Sequence, residues 1–505
     1  MTPRAVLDIY SHGVRISGYK RDFFEGTIAP FLQTLQLKEP KKLPHGGMTM
    51  ELKKRFYGLT DDRREAFIHR HQLNDFLAFC HSRGTPLEQF TQNPIVTPTP
   101  DPINIELFEH LVPRDYQIPI VEALADPLPT RGLKLQTGKG KTLSALMAVA
   151  RLKERTVIMV SPKYFGIWDK ALTEAYKETT FVTVSGSAEL KMVIEAGVNG
   201  AELADFIIMS SMTYRAYIEA YEKFKDKIVD MGYHAPPPRF HEAMRIGIQI
   251  NDEIQDDPGL VFRTDVFSNV KKQMYLSATP YTGNEYVTRM IDVMLPEETD
   301  CPLPDYDVYI DVFAVLYTEQ GIKPKDYLTP YKNTYNHARY ETQMLKASRR
   351  VDRYYAMVVK LINAMFVRSM EKGQKMLVLC STVEFIHRLT KFLNMKFPTL
   401  RVGAHVSGSP YAKLLSNDIT VSTIKSAGTG VDIPDLREVL CLQATDSKKD
   451  NIQILGRLRK LKNYPNHTPR LTYVVCQNIP NHVRYHRNKL SHFEGKVNVH
   501  KLLRI

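Results

Sequence analysis

Cysteine and tryptophan are both scarce in this chain, with five and one among 505 residues. Cys80, Cys301, Cys380, Cys441 and Cys476 lie far apart, with no CxxC pair and no His at ligand spacing. That excludes a disulfide framework and a zinc module, and predicts buried thiols in a reducing compartment. No apolar run approaches the roughly 18 residues of a membrane helix, and "MTPRAVLDIYSHG" lacks the apolar core of a secretory signal. A cytoplasmic protein with no membrane partner is therefore expected. No repeat of fixed period is present, which excludes a solenoid. With 43% hydrophobic and 24% charged residues, disorder is not the bulk of the chain. What is in excess is positive charge, 68 Lys and Arg against 55 Asp and Glu, for a formal net charge of +13. Such an excess favours a polyanionic partner, because Lys and Arg release condensed counterions from nucleic acid.

Proline marks the breaks. In "TQNPIVTPTPDPINIE", Pro94, Pro98, Pro100 and Pro102 oppose helix and central strand. They predict a linker over 91–104 after a small domain at 1–90. Apolar runs then alternate with helical patterns ("TVIMVSP", "FVTVSGS", "FIIMSS", "RIGIQIND", "QMYLSAT") up to a second break at "LPEETDCPLPDYD". A similar series follows ("VYIDVFAVLY", "KMLVLCST", "LRVGAHV", "ITVSTI", "EVLCLQA", "LTYVVCQ"). The rhythm predicts an α/β protein with two helix-covered parallel sheets, over 105–297 and 298–505, the second ending in a basic tail. "FKDKIVDMGYHAPPPRFHEAMR" is expected as a surface insertion.

"LQTGKGKTLSA" carries the first chemistry. Thr137, Gly138, Lys139, Gly140, Lys141 and Thr142 fit the second half of a phosphate loop. There the glycines let backbone N–H groups face phosphate, the Lys neutralises charge and the hydroxyl meets Mg2+. The first Gly of the full signature is replaced by Leu135. About 110 residues later, "IGIQINDEIQ" ends a strand in Asp252 and Glu253, where a carboxylate pair can hold Mg2+ and orient an attacking water. "LSATP" places Ser277 and Thr279 at the next strand exit, "STIKSAGTGVDIPDL" places Gly428, Thr429, Gly430 and Asp432 at another, and "DNIQILGRLRK" carries Gln453, Arg457 and Arg459.

In this order the fragments resemble the motifs of superfamily 2 helicases, over about residues 108–480. "VPRDYQ" is similar to the adenine-reading motif, "LQTGKGKT" to motif I, "VSPKYFGIW" to Ia, "NDEIQ" to II, "SAT" to III, "GTGVD" to V and "QILGRLR" to VI. The resemblance implies two RecA-like domains in tandem with ATP and Mg2+ between them, preceded by a small α+β N-terminal domain. It places Arg114 and Gln117 at the base, the 137–142 loop on phosphate, and Thr142 and Asp252 on Mg2+. Glu253 becomes the catalytic carboxylate, Gly430 and Asp432 nucleotide-site residues, and Gln453, Arg457 and Arg459 contributors from the second domain. Motif II reads DEIQ, so Gln255 takes the place of a His or Asp in coupling to motif III. Motif VI has Lys460 where its second Arg is usual, with Arg459 one residue earlier, which leaves the arginine finger open.

The absence of DEAD and of a PTRELA-like Ia motif separates the chain from DEAD-box RNA helicases. It resembles the compact phage UvsW-like helicases that remodel forks and migrate branches. That implies a monomeric DNA motor of replication, recombination or repair, in the host cytoplasm if phage-encoded. Residues 1–90 resemble the small DNA-binding module of those proteins, with Lys53, Lys54, Arg55, Arg63, Arg64 and Arg70 as phosphate contacts, or else form a cap on the first sheet. An RNA helicase and a non-catalytic nucleic-acid clamp are the alternatives. Trp168 is expected to serve packing.

Overall fold

Strands of period two with two apolar faces need cover on both sides, and the computed structural model shows how the chain supplies it. It describes residues 4–42, 47–278, 284–330, 333–426 and 433–505. The chain divides into two compact units, Met1–Leu135 with Lys139–Pro304, and Gln136–Gly138 with Asp305–Ile505.

The first unit opens with β1 (Ala5–Ile9), β2 (Gly13–Ser17), β3 (Gln36–Lys42), β4 (Met48–Arg55), β5 (Gly58–Leu59), β6 (Ala66–His69) and β7 (Phe90–Pro94). Five of these form a sheet in the order β5-β6-β2-β1-β7, while β3 and β4 make a separate ribbon. The Pro-rich stretch begins as β7, which pairs with β1 at the sheet edge and ends at Pro94, the position where a missing N–H costs least. Then come β8 (Thr130–Leu133), β9 (Thr156–Val160), β10 (Phe181–Val184), β11 (Phe206–Ser210), β12 (Ile248–Asp252) and β13 (Lys272–Leu276). They form a six-stranded sheet in the order β10-β11-β9-β12-β13-β8, parallel throughout.

Alternation sorts its side chains between two cores. Ile158, Val160, Ile250 and Leu276 face the layer of helices Lys141–Leu152 and Phe165–Ala175. Val157, Met159, Ile207 and Met209 face the opposite layer, whose core runs without a break into the N-terminal sheet. That join is tight: a β-carbon on Gly13 would stand 2.1 Å from the Val266 carbonyl oxygen, and the Phe67 and Phe267 ring centroids lie 4.4 Å apart. The 224–245 segment is not the surface excursion its prolines suggest. Ile228, Phe240 and Met244 are fully buried in this core, and the Tyr217 hydroxyl donates to the Ala235 carbonyl at 2.5 Å.

The second unit contains β14 (Asp311–Tyr317), β15 (Lys375–Cys380), β16 (Val402–His405), β17 (Ile419–Thr423), β18 (Leu436–Cys441), β19 (Arg470–Cys476) and β20 (Val499–Arg504). Their order is β16-β17-β15-β18-β19-β14-β20, again parallel. Leu377 and Leu379 face one core, Met376 and Val378 the other. The basic tail is a helix, Pro480–Phe493, followed by the edge strand β20. The protein is thus α/β, with two parallel sheets in tandem and a small α+β region at the N-terminus. Among the described residues no helix is long and apolar enough to cross a membrane, and all five cysteines are buried and free.

Candidate nucleotide site

The glycines of the loop do what their lack of a side chain allows. Gly138 (φ 86°) and Gly140 (φ 84°) both take the left-handed conformation, open to glycine at little cost. Gly140 is followed at once by the helix Lys141–Leu152, so Lys141 and Thr142 occupy its first turn, where unsatisfied N–H groups and the helix dipole favour an anion. A β-carbon on Gly140 would meet Gln117 Nε2 at 2.7 Å and displace that amide, and the residue carrying it would have to adopt a left-handed backbone that L side chains rarely take.

Gln117 is buried against this loop. Its amide donates to Ser144 Oγ at 3.2 Å and its Oε1 accepts from the Arg114 backbone N–H at 3.1 Å. The Arg114 guanidinium donates to the Tyr116 hydroxyl at 2.9 Å, which donates to the Lys139 carbonyl at 3.1 Å. Arg114 and Gln117 therefore lie beside the loop, joined to it partly through Tyr116, a residue that sequence reasoning passed over.

The carboxylates sit at the C-terminal end of β12 in the same unit. Lys141 Nζ lies 3.9 Å from Glu253 Oε1. Asp252 Oδ1 accepts from the Glu253 N–H at 2.9 Å, and Asp252 Oδ2 accepts from the indole N–H of Trp168 at 3.0 Å. Burial and the neighbouring Glu253 charge push the Asp252 carboxyl up, against the pull of Lys141 and the Trp168 hydrogen bond. Trp168 is fully buried; it packs as expected and also orients the carboxylate, a contact with no signature in the sequence.

Glu253 holds φ 52°, a left-handed conformation that costs a non-glycine residue about 1–2 kcal/mol. Its far side is tied down. Gln255 Nε2 donates to Glu253 Oε2, and Gln255 Oε1 accepts from Ser277 Oγ at 2.5 Å. The Gln of DEIQ thus joins the motif II carboxylate to the serine of "SAT". Asp256, one residue on, accepts from Tyr164 at 3.1 Å and pairs with Lys163 at 2.7 Å.

The donor set fits a divalent ion: a hydroxyl at Thr142 and a carboxylate at Asp252, oxygen ligands in the sense Mg2+ requires, with Lys141 supplying charge for phosphate. In the second unit, Gln453 lies on the helix Lys448–Leu455, and its Nε2 is buried without a hydrogen-bond partner among the described residues. Arg457 and Arg459 flank the fully buried Leu458, while Lys460 is exposed and pairs with Asp307 at 2.9 Å. Thr279, Gly428, Thr429, Gly430 and Asp432 lie outside the described residues.

No family model matches this chain, and no curated protein does. Among solved structures it is similar to a point variant of S. cerevisiae Dbp5 bound to RNA and ADP–BeF3, with 12% identity over 78% of this chain and 90% of that one and a TM-score of 0.47. It is also similar to a Dbp5 variant from the same yeast bound to a Gle1 variant and IP6, with 11% identity over 78% and 88% of the two chains and a TM-score of 0.46.

Proposed function

We propose that this chain is an ATP-dependent superfamily 2 helicase whose two sheets are RecA-like, and that it remodels branched DNA. The observation that carries the reading is the meeting, within the first unit, of the helix N-terminus that begins at Gly140 with a carboxylate pair at a parallel strand's end, bridged by Lys141 and Glu253 at 3.9 Å. ATP needs that combination: Lys141 and the loop N–H groups bind phosphate, and Thr142 and Asp252 would hold Mg2+. When bound, the ion polarises the phosphoryl oxygens. Glu253 accepts the proton of the attacking water, held in place by Gln255. The motif order implies a hydrogen-bonding role for Gln453 and a charge-stabilising role for Arg457 or Arg459. The choice of DNA rests on DEIQ and the N-terminal region.

Steady-state ATP hydrolysis with single-stranded DNA, duplex, a fork, a four-way junction and structured RNA, each at two salt concentrations, tests this. Stimulation by forks and junctions is expected, with Lys141→Ala reducing turnover by on the order of a hundredfold or more. Stimulation by RNA alone transfers the motor to RNA remodelling. Absence of stimulated hydrolysis, or its survival in Lys141→Ala, ends the proposal.

A further inference from the structure

One face of β12 and β13 breaks the apolar pattern. Where β9 and β11 place Val157, Met159, Ile207 and Met209, these two strands place Gln249, Asn251, Gln273 and Tyr275, each no more than 1% exposed. Burying polar groups is costly unless they bond one another, and these do. His241 Nε2 meets Gln249 Oε1 at 2.8 Å, Gln249 Nε2 donates to Asn251 Oδ1 at 3.2 Å, and Asn251 Nδ2 donates to Gln273 Oε1 at 3.3 Å. Tyr275 bonds both Gln273 Oε1 and Asp265 Oδ2, the latter at 2.5 Å. Asp265 is fully buried, and His69 of the N-terminal sheet approaches it at 3.7 Å.

Proton counting gives this chain a direction. Tyr275 has one O–H. With it donated to Gln273, the short contact to Asp265 needs Asp265 as the donor, a neutral carboxylic acid. Ionised Asp265 would claim the Tyr275 proton for itself, and Gln273, Asn251 and Gln249 would each have to turn their amides over. The state of Asp265 is thereby linked to the orientation of Asn251, the residue next to Asp252. Strand alternation puts Asn251 and Asp252 on opposite faces, and both line a cavity of about 180 Å³ with Glu253 and Asp256. The left-handed backbone at Glu253 persists only where its surroundings fix it. Gln255 and Ser277 fix its side chain, and the polar chain ends at Asn251, two residues before it along the strand.

We propose that Asp265, Tyr275, Gln273 and Asn251 are positioning residues that fix the end of β12, and with it Asp252 and Glu253, in the geometry hydrolysis needs. The inference rests on the nucleotide-hydrolysis reading above. The groups facing Asp265 are Tyr275, Gln273, His69 and, further off, His71; burial keeps His69 neutral and pushes the Asp265 carboxyl up to about 8, against the pull of the Tyr275 and Gln273 hydrogen bonds.

The test uses the full chain and two readouts, ATP turnover and the emission of Trp168, the sole tryptophan, whose N–H is bound to Asp252. Asp265→Asn preserves a donor towards Tyr275. It is expected to keep kcat within twofold at pH 7 and to remove the part of the Trp168 pH response that the wild type shows near pH 8. Tyr275→Phe cuts the chain at one hydroxyl, and is expected to shift the emission and lower kcat at least tenfold at an unchanged KM for ATP. Unchanged kcat and emission in folded Tyr275→Phe overturn the proposal. So does a pH profile of Trp168 emission that is the same in the wild type and Asp265→Asn, the deciding result should Tyr275→Phe fail to fold; the titration of Asp252 itself is common to both. A wild type that hydrolyses no ATP refutes the function instead, and the emission arms then decide the positioning network alone.

Discussion

At the scale of single residues, the candidate nucleotide site is held by two short links: Lys141 Nζ lies 3.9 Å from Glu253 Oε1, and Gln255 ties Glu253 to Ser277. Lys141, Thr142, Asp252 and Glu253 stand in motifs because a phosphate loop and a strand-end carboxylate pair each need particular residue types at fixed spacing. The Gln255 link to Ser277 follows from the same logic, and makes a prediction: Gln255→Ala retains basal ATP hydrolysis within about tenfold and loses most of its stimulation by nucleic acid, read by comparing turnover with and without a forked DNA. Trp168 on Asp252 and Tyr116 on the loop were not legible, because a core aromatic and one that donates a hydrogen bond look alike until the fold brings the acceptor near. Asp265 was hidden for the same reason. Its consequence for stability has a definite sign. Burial raises its folded-state pKa to about 8 from an ordinary 3.8, so the unfolded chain releases this proton first as pH rises. The stability it permits is complete below about pH 4 and is lost as pH climbs to about 8. Asp265→Asn removes the titration; its melting temperature should gain on the wild type steadily between pH 5 and 8, and hold a constant lead above that.

Elements were legible where hydrophobic period and length agreed. The strands β9, β11, β15 and β19 fall on nearly continuous apolar runs, as burial on both faces favours, whereas β12, β13 and β17 are marked by apolar residues at alternate positions, Ile248 and Ile250, Met274 and Leu276, Ile419 and Val421. Harder to read were the segment over 224–245, which is packed by contacts remote in sequence, and the N-terminal region, where β5 is two residues long and β7 ends in a proline. Its union with the first sheet is secured by charge as well as by rings. Glu222 on the helix Ser211–Phe224 is 4% exposed and pairs with Arg55 of β4 and with Arg263, the latter at 2.8 Å. Removing the middle charge strands Arg55 and leaves Arg263 only Glu219, at 3.7 Å, so Glu222→Ala should cost about 3–5 kcal/mol, measured by denaturant unfolding. For the same reason Arg55→Ala should act through stability, before any effect on binding.

For the molecule as a whole, the excess of positive charge does not reach a nucleic acid evenly. Of the six basic positions in the N-terminal region, Lys53 is paired with Glu51, Lys54 with Asp257 at 3.0 Å and Arg55 with Glu222. Arg63, Arg64 and Arg70 are exposed. A cation already neutralised by a neighbour displaces few counterions when a phosphate arrives, whereas an exposed one displaces about its full share. The N-terminal region is a cap through its core and paired charges, and its exposed arginines are the positions we propose for phosphate contact. The expectation is quantitative. Replacing Arg63 and Arg64 together by Ala should weaken binding to forked DNA and reduce the slope of log affinity against log salt by up to about 2, with the melting temperature unchanged. Lys54→Ala should leave that slope nearly as it was. Equal slopes for both variants would show that pairing within the fold does not decide which charges meet the backbone, and would move the phosphate surface away from the N-terminal region.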